Sequence, residues 1–280
     1  MSRAVQQDRV AGPPAVPSPQ SPGPSYLSPS SIKAYLTCSL RYYFEKVLRL
    51  SRPTSPSLHV GKAVHEAVRR YHLSVWRGEG LGAKELIGAY RSAFDSLEAE
   101  EPVEFNGPDH RAECLETGER VVGAYLDSEA SVLKEMPTGV EVRLEGAVPQ
   151  VPVPLYGFID LVRPGNIPVD FKTVASTPSD LELESFLHEI QLVHYTVLLE
   201  EATGEAVTGV ELIWLVKTKK PKVIPHRMPP PTKEQKERFF ALAQIVCEGV
   251  RNRRFHPQPG MHCGWCPFRP ECSQWSGGGR

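Results

Sequence analysis

Two short apolar segments, Leu155 to Val162 and Ile167 to Val174, lie on either side of Pro164-Gly165-Asn166. Runs of this length, rich in Val, Ile, Leu and Phe and parted by a Pro-Gly-Asn turn, predict two antiparallel strands of a buried sheet. A hairpin symmetric about Gly165 sets Asp160 opposite Asp170 across the ladder. Lys172, two residues further on, projects to the same face as Asp170. Charged groups inside strands as apolar as Gly157-Phe158-Ile159-Asp160 and Pro168-Val169-Asp170-Phe171 are costly unless something compensates them.

Facing carboxylates repel unless a positive charge sits between them. A divalent cation meets that need, and oxygen ligands suit Mg2+ or Mn2+, which retain waters and accept phosphate oxygens. Lys172 beside them then stabilises charge on phosphate or orients an attacking water. By itself a D-x-K triplet fits a surface salt bridge equally well, so its apolar setting carries the functional reading.

The hairpin is one part of a longer pattern. Residues 1–26, rich in Pro, Ser, Gly and Gln, are expected to be a disordered tail, since they carry too little apolar surface to offset the entropy of ordering. Order is expected from residue 27 to residue 275, with 276–280 as a flexible end. Ser28 can cap a helix whose first position is Pro29 and whose apolar stripe continues through Ile32, Tyr35, Leu36, Tyr43 and Phe44. A second helix is predicted from Gly61 to Trp76, with more helix across 83–135.

After Val140 the period changes to that of strands: Glu141 to Val148, then the two hairpin segments. Helical spacing returns at Phe186, Ile190, Val193 and Val197, followed by a strand from Val210 to Lys217 and a helix from Thr232 to Arg253. Thr232 and Gln235 form a capping-box pattern at the start of that last helix. This order predicts an α/β fold with a central mixed sheet flanked by helices and a helical N-terminal region.

With 280 residues of which 40% are hydrophobic, the chain is large enough for a substantial core. No segment is long and apolar enough to span a bilayer and no export signal is visible, so a cytoplasmic location is expected. The formal net charge of -1 means that contact with a polyanion must use local patches. Two basic runs are candidates: Lys217, Lys219, Lys220 and Lys222, and Arg251, Arg253 and Arg254.

The hairpin pattern, Gly157-x-x-Asp160 followed by Asp170-x-Lys172, resembles that of RecB-like nucleases of the PD-(D/E)XK superfamily. Gly61-Lys62-Ala63-Val64-His65 is similar to that branch's upstream helix motif, and Gln191-x-x-x-Tyr195 to its downstream one. The resemblance implies a restriction-endonuclease-like core. It implies a metal site made by His65, Asp160, Asp170 and the Phe171 carbonyl, catalysis assisted by Lys172, and positioning by Gln191 and Tyr195. Glu66, Glu141 and Glu145 remain unassigned carboxylates.

Six cysteines without an export signal argue against a disulfide framework. Cys114 and Cys247, alone in helical patterns, are expected to be core residues. Cys263-x2-Cys266-x5-Cys272 near one end and Cys38 near the other can share a metal only if the ends of the chain pack together. A C-x-x-C pair alone fits zinc or redox chemistry. The four-cysteine layout resembles that of iron-sulfur nucleases of the superfamily, among them the CRISPR-adaptation nuclease and the AddB subunit, which implies a structural 4Fe-4S cluster, with zinc as the alternative. Ser39 departs from the Pro that often follows the first cysteine there.

The function implied is metal-dependent hydrolysis of DNA, on single strands or free ends, in repair, recombination or DNA processing. No G-x-x-x-x-G-K-S/T element is present, so motor activity would come from a helicase partner. Two alternatives are a noncatalytic DNA-binding scaffold in a helicase-nuclease complex and a CRISPR spacer-processing nuclease working with an integrase.

Overall fold

The computed structural model describes residues 23–132 and 135–277. Most of the expected tail and residues 278–280 of the expected flexible end lie outside this range. Tyr26 sets its ring edge against Tyr156, and the buried Leu27 bridges to Leu155.

Helix α1 (Pro29–Thr37) begins at the cap foreseen for it: Ser28 Oγ accepts from Ser31 N, and Ser31 Oγ accepts from Ser28 N. A short α2 (Ser39–Tyr42) and a turn of π-helix at Tyr43–Val47 follow. Helix α3 (Pro56–Trp76) starts earlier than Gly61, because Ser55 caps it and Pro56 occupies its first turn. The helical stretch expected over 83–135 is two helices, α4 (Ala83–Glu100) and α5 (Pro108–Leu126), with Gly107 at φ 87° between them.

Five strands follow in register order: β1 (Gly139–Gly146), β2 (Leu155–Arg163), β3 (Ile167–Val174), β4 (Val210–Val216) and β5 (Lys222–Met228). Only β3 and β4 are parallel, and their crossover carries α6 (Leu181–Leu187) and α7 (Glu189–Thr203). The single helix expected through Phe186 and Val197 is therefore two. The chain turns at His188, and Phe186 is 62% exposed instead of joining the buried stripe. Strand β5 was not foreseen. Its Lys222, Pro225, His226 and Arg227 break any apolar alternation, which an edge strand tolerates. Helix α8 (Lys233–Arg251) carries the Thr232/Gln235 capping box, and α9 (Arg269–Gln274) ends the fold.

Helices cover both faces of the sheet. Leu161, Val169, Phe171, Ile213 and Leu215 pack with α3, α4 and α5, whereas Ile159, Val162, Leu212 and Trp214 pack with α7. Cys114 packs partly buried against the first of these clusters, and Cys247 is buried in a third, with Leu27, Ile32 and Phe239.

The ends of the chain meet. Tyr35 Oη donates to Arg254 O, Ser39 N donates to Gln258 Oε1, and Arg52 pairs with Glu271 while lying over the Phe268 ring. Cys38, Leu40, Phe44 and Phe268 form a buried cluster against which Cys266 and Cys272 pack.

Candidate active site

The register of the β2–β3 hairpin is the one symmetric about Gly165, with Leu161 opposite Val169 and Arg163 opposite Ile167. Pairing stops at Leu161, so Asp160 does not face Asp170 across a continued ladder. Its Oδ2 turns to accept from Phe171 N at 2.9 Å, with His65 Nδ1 at 3.7 Å.

The cause is a slip in strand alternation. Ile159, paired with Val142, faces α7, while Leu161, paired with Val140, faces α3 and α5. Residues two apart on a regular strand share a face, so one residue of alternation is lost at Asp160 and at Glu141 beside it. Glu141 absorbs the change with φ 48°. A slip of this kind re-aims a side chain next to a site.

His65 reaches this point because α3 approaches β3 closely at Gly61. A Cβ there would lie 2.6 Å from Thr173 Oγ1, so only glycine fits. One turn further along the same helix face, His65 stands over the hairpin. Gly157 does the same for α7, where a Cβ would come within 3.1 Å of the Tyr195 ring.

Asp170 and Lys172 share the other face, with Lys172 Nζ 2.7 Å from Asp170 Oδ2. Helix α7 supplies the clamp. Gln191 Nε2 donates to Asp170 Oδ1 at 2.7 Å and to Tyr195 Oη at 2.8 Å, and Lys172 Nζ donates to Gln191 Oε1 at 2.6 Å. Every hairpin and helix residue singled out from the sequence is thus brought into one region.

Burial opposes ionisation of Asp160, but His65, the Phe171 N–H and Lys172 outweigh it and hold the carboxyl below its ordinary range. Burial pushes Asp170 up, and the charge on Asp160 adds to this against the pull of Lys172. Burial alone would lower His65, yet Asp160 and Asp170 raise it. Asp170 Oδ2 is buried, and its partner is the Lys172 ammonium at 2.7 Å. The buried carboxylate of Asp170 and the half-buried one of Asp160 are hard-donor chemistry and fit a divalent cation. Among the described residues no three His, Cys, Asp or Glu side chains are already drawn around one point, and Lys172 and His65 supply the compensating charge.

Two clefts flank this set. One, of 510 Å³, is walled by Lys33, Lys172, Gln191 and Tyr195; the other, of 630 Å³, by His65, Asp160, Phe171 and Arg69. Phe158 lines both. The carboxylates left unassigned sort themselves here. Glu66 is held by Arg69 and Arg70, each at 2.7 Å, which outweigh burial and keep its carboxyl low. Glu141 lies 3.1 Å from Arg69, and its carboxyl is pushed up by burial and by the charges of Glu66 and Asp160. Glu145 stands 3.8 Å from Arg143. The i+3 and i+4 spacing of Arg69 and Arg70 from Glu66 was legible in the sequence; the aim of Phe158 and the slip at Glu141 were not.

Where the two ends of the fold meet, the Cys272 thiol is raised by burial and by Cys38, Cys266 and Cys263; Cys266 and Cys272 pack against the cluster that holds Cys38, without three of the sulfurs being drawn around one point. Neither basic run lies in the clefts. Lys217 is tied to Ser57 at 2.8 Å, and Arg253 has φ 54° past the end of α8.

Among solved structures the chain resembles a protein of Eubacterium rectale described as a "putative exonuclease", at 18% identity and a TM-score of 0.58, covering 91% of this chain and 90% of that one. A second, SSO0001, aligns over 87% of this chain and 94% of that one at 16% identity and a TM-score of 0.35, too distant to bear on the argument. No curated protein matches the sequence. No helix among the described residues is long and apolar enough to cross a membrane. The family model of the PD-(D/E)XK nuclease superfamily matches residues 26–273, a span that contains the hairpin, both flanking helices and all four clustered cysteines. The chain belongs to the PD-(D/E)XK nuclease superfamily.

Proposed function

We propose that this chain is a metal-dependent DNA nuclease of the RecB-like branch, acting as an exonuclease on DNA ends or single strands. One observation carries the reading: Lys172 lines one open cleft and Asp160 the other, with Asp170 bound to Lys172 through Gln191 between them and His65 beside Asp160. His65, Asp160, Asp170 and the Phe171 carbonyl are the residues that would hold Mg2+ or Mn2+. Such an ion, when bound, polarises a phosphate oxygen and lowers the pKa of a coordinated water.

The chain's own groups do the rest. Lys172 presents a positive charge where negative charge grows on phosphate. Gln191 fixes that ammonium relative to Asp170, and Tyr195 holds Gln191 in turn. The elevated tendency of Asp170 to protonate is countered by Lys172, which keeps it available as an oxygen donor.

Cys38, Cys263, Cys266 and Cys272 are proposed to hold a 4Fe-4S cluster that closes the fold where its ends meet, with zinc as the competing metal. The setting proposed is cytoplasmic DNA repair, recombination or DNA processing, alone or with a helicase or CRISPR integrase partner. The test is cleavage of end-labelled single- and double-stranded DNA by anaerobically purified protein with Mg2+, Mn2+ or EDTA, beside Lys172→Ala. Metal-dependent cleavage lost in the variant is expected; cleavage that persists in EDTA or in Lys172→Ala sinks the assignment. Iron and acid-labile sulfide in stoichiometric amount are expected in the same sample, and zinc without iron overturns the cluster.

A further inference from the structure

Phe158 presents a large apolar ring on a strand that otherwise hides its apolar residues, and it is 37% exposed two positions from Asp160. Among the described residues it alone lines both clefts, so a chain passing from one to the other must cross it. Its ring edge meets Tyr156 at a centroid distance of 5.4 Å, and Tyr156 meets Tyr26 at 5.4 Å in turn. Arg143, paired with Phe158 in the ladder, lies 5.4 Å over the Tyr156 ring. Tyr156 is 4% exposed, and its hydroxyl is buried without a hydrogen-bond partner. The side chains behind Phe158 are therefore packed, so the ring is braced and offers a fixed face.

The charge on the two sides differs. The cleft that holds Tyr26 and Tyr156 is lined by Lys33, Lys46 and Lys172 and by no carboxylate, with Glu45 and Asp170 paired to Lys46 and Lys172 from behind the wall. The cleft beyond Phe158 mixes Lys62, Arg69 and Arg70 with Glu66, Glu100 and Glu141. A polyanion is thus drawn along the lysine side toward the carboxylates, which is how a basic groove tracks a backbone while aromatic rings take the bases.

We propose that Phe158 is a base-stacking platform that positions single-stranded DNA, its phosphates along the lysine-lined cleft and one base on the ring beside the phosphate to be cut. This rests on the nuclease reading and extends it to strand state. Inside a duplex each base is covered on both sides by its neighbours, so away from its ends a duplex offers no free face and the platform favours single strands. Phe158 is a positioning residue and takes no part in the chemistry.

The experiment is binding in EDTA, where nothing is cut. Fluorescence anisotropy of labelled oligodeoxythymidylate and of a blunt duplex is measured for wild type, Phe158→Ala, Phe158→Leu and Phe158→Trp, together with quenching of a 2-aminopurine oligonucleotide. Single-strand affinity is expected to fall about tenfold in the Ala and Leu variants, with loss of quenching, and to persist in Trp, since stacking is worth roughly 1–3 kcal/mol per base. Duplex affinity is expected to stay unchanged. The Leu variant keeps apolar bulk without a π face, so equal loss in Ala and Leu with equal thermal stability separates stacking from folding. Wild-type affinity in both variants, equal loss on both DNAs, or no single-strand binding by wild type overturns the platform. Single-strand binding that depends on Phe158, in a protein that cuts nothing with Mg2+ or Mn2+, overturns the nuclease reading and leaves the platform standing.

Discussion

At the hairpin every acid is already tied to the protein: Asp160 to the Phe171 N–H and His65, Asp170 to Gln191 and Lys172. At the corner where the ends meet, Cys266 and Cys272 pack against the cluster of Cys38, Leu40, Phe44 and Phe268, and Cys272 is pushed toward its neutral thiol by burial and by Cys38, Cys266 and Cys263. The first region keeps its shape with its own cations. The second is held by aromatic packing, by Arg52 on Glu271 and Phe268, and by thiols, so a metal proposed there would contribute to folding itself. Loss of a metal from the hairpin should therefore cost rate, and loss from the corner should cost stability.

The largest effect is expected at the corner. Cys266→Ser should lose iron, and its Tm should fall by roughly 10 °C or more, taking several kcal/mol at about 2–4 °C per kcal/mol. Calorimetry with an iron assay checks this; an unchanged Tm would erase the contrast between the regions. Next comes Lys172→Ala, with cleavage reduced by about 10²–10³-fold and a smaller fall in Tm than at the corner, arising because the buried Asp170 loses its counter-charge. A large Tm loss there would show that the hairpin also depends on its cation to fold. Gln191→Ala should be milder, about 10–100-fold in rate, as for groups that orient others. Single-turnover kinetics should place the loss in the cleavage step, because Lys172 and Asp170 lose their common clamp.

The smallest effect is a pH dependence that the two regions do not share. His194, buried against the Tyr156 carbonyl, is lowered to about 3, chiefly by burial. Its folded pKa lies below its unfolded one, so its contribution is full above about pH 6.5 and is lost as pH falls toward the folded value. At pH 5.5 the loss is about 1.4 kcal/mol. His65, raised by Asp160 and Asp170, acts in the opposite sense, adding stability at low pH that fades as pH rises. Thermal melts between pH 7 and pH 5.5 should show a shallower acid limb for His194→Gln, and an identical slope would remove the assignment.

Much of this was legible in the sequence, for stated reasons. The Pro164-Gly165-Asn166 turn set the hairpin register, Ser28 and Thr232 marked two helix starts, and the spread of the cysteines required the ends to meet. Illegible were features decided by long-range packing. Nothing in Glu141 announces a left-handed backbone, so the slip that turns Asp160 away from Asp170 appears only in three dimensions. Strand β5 carries too many polar residues to show a period, and the break at His188 has no Pro or Gly to signal it. Phe158 looked like one more apolar strand residue.

The meeting of the ends also orders events in time. Tyr35 finds its hydrogen-bond partner at Arg254, 219 residues later, and Ser39 finds His256 217 residues later. Contacts that distant form after the intervening sheet has brought their elements together. During synthesis α1 and α2 therefore wait, with Tyr35, Phe44 and the Cys38 thiol uncovered, until residues 254–268 emerge. A product truncated before Arg254 would carry an open aromatic seam for chaperones and proteases to find.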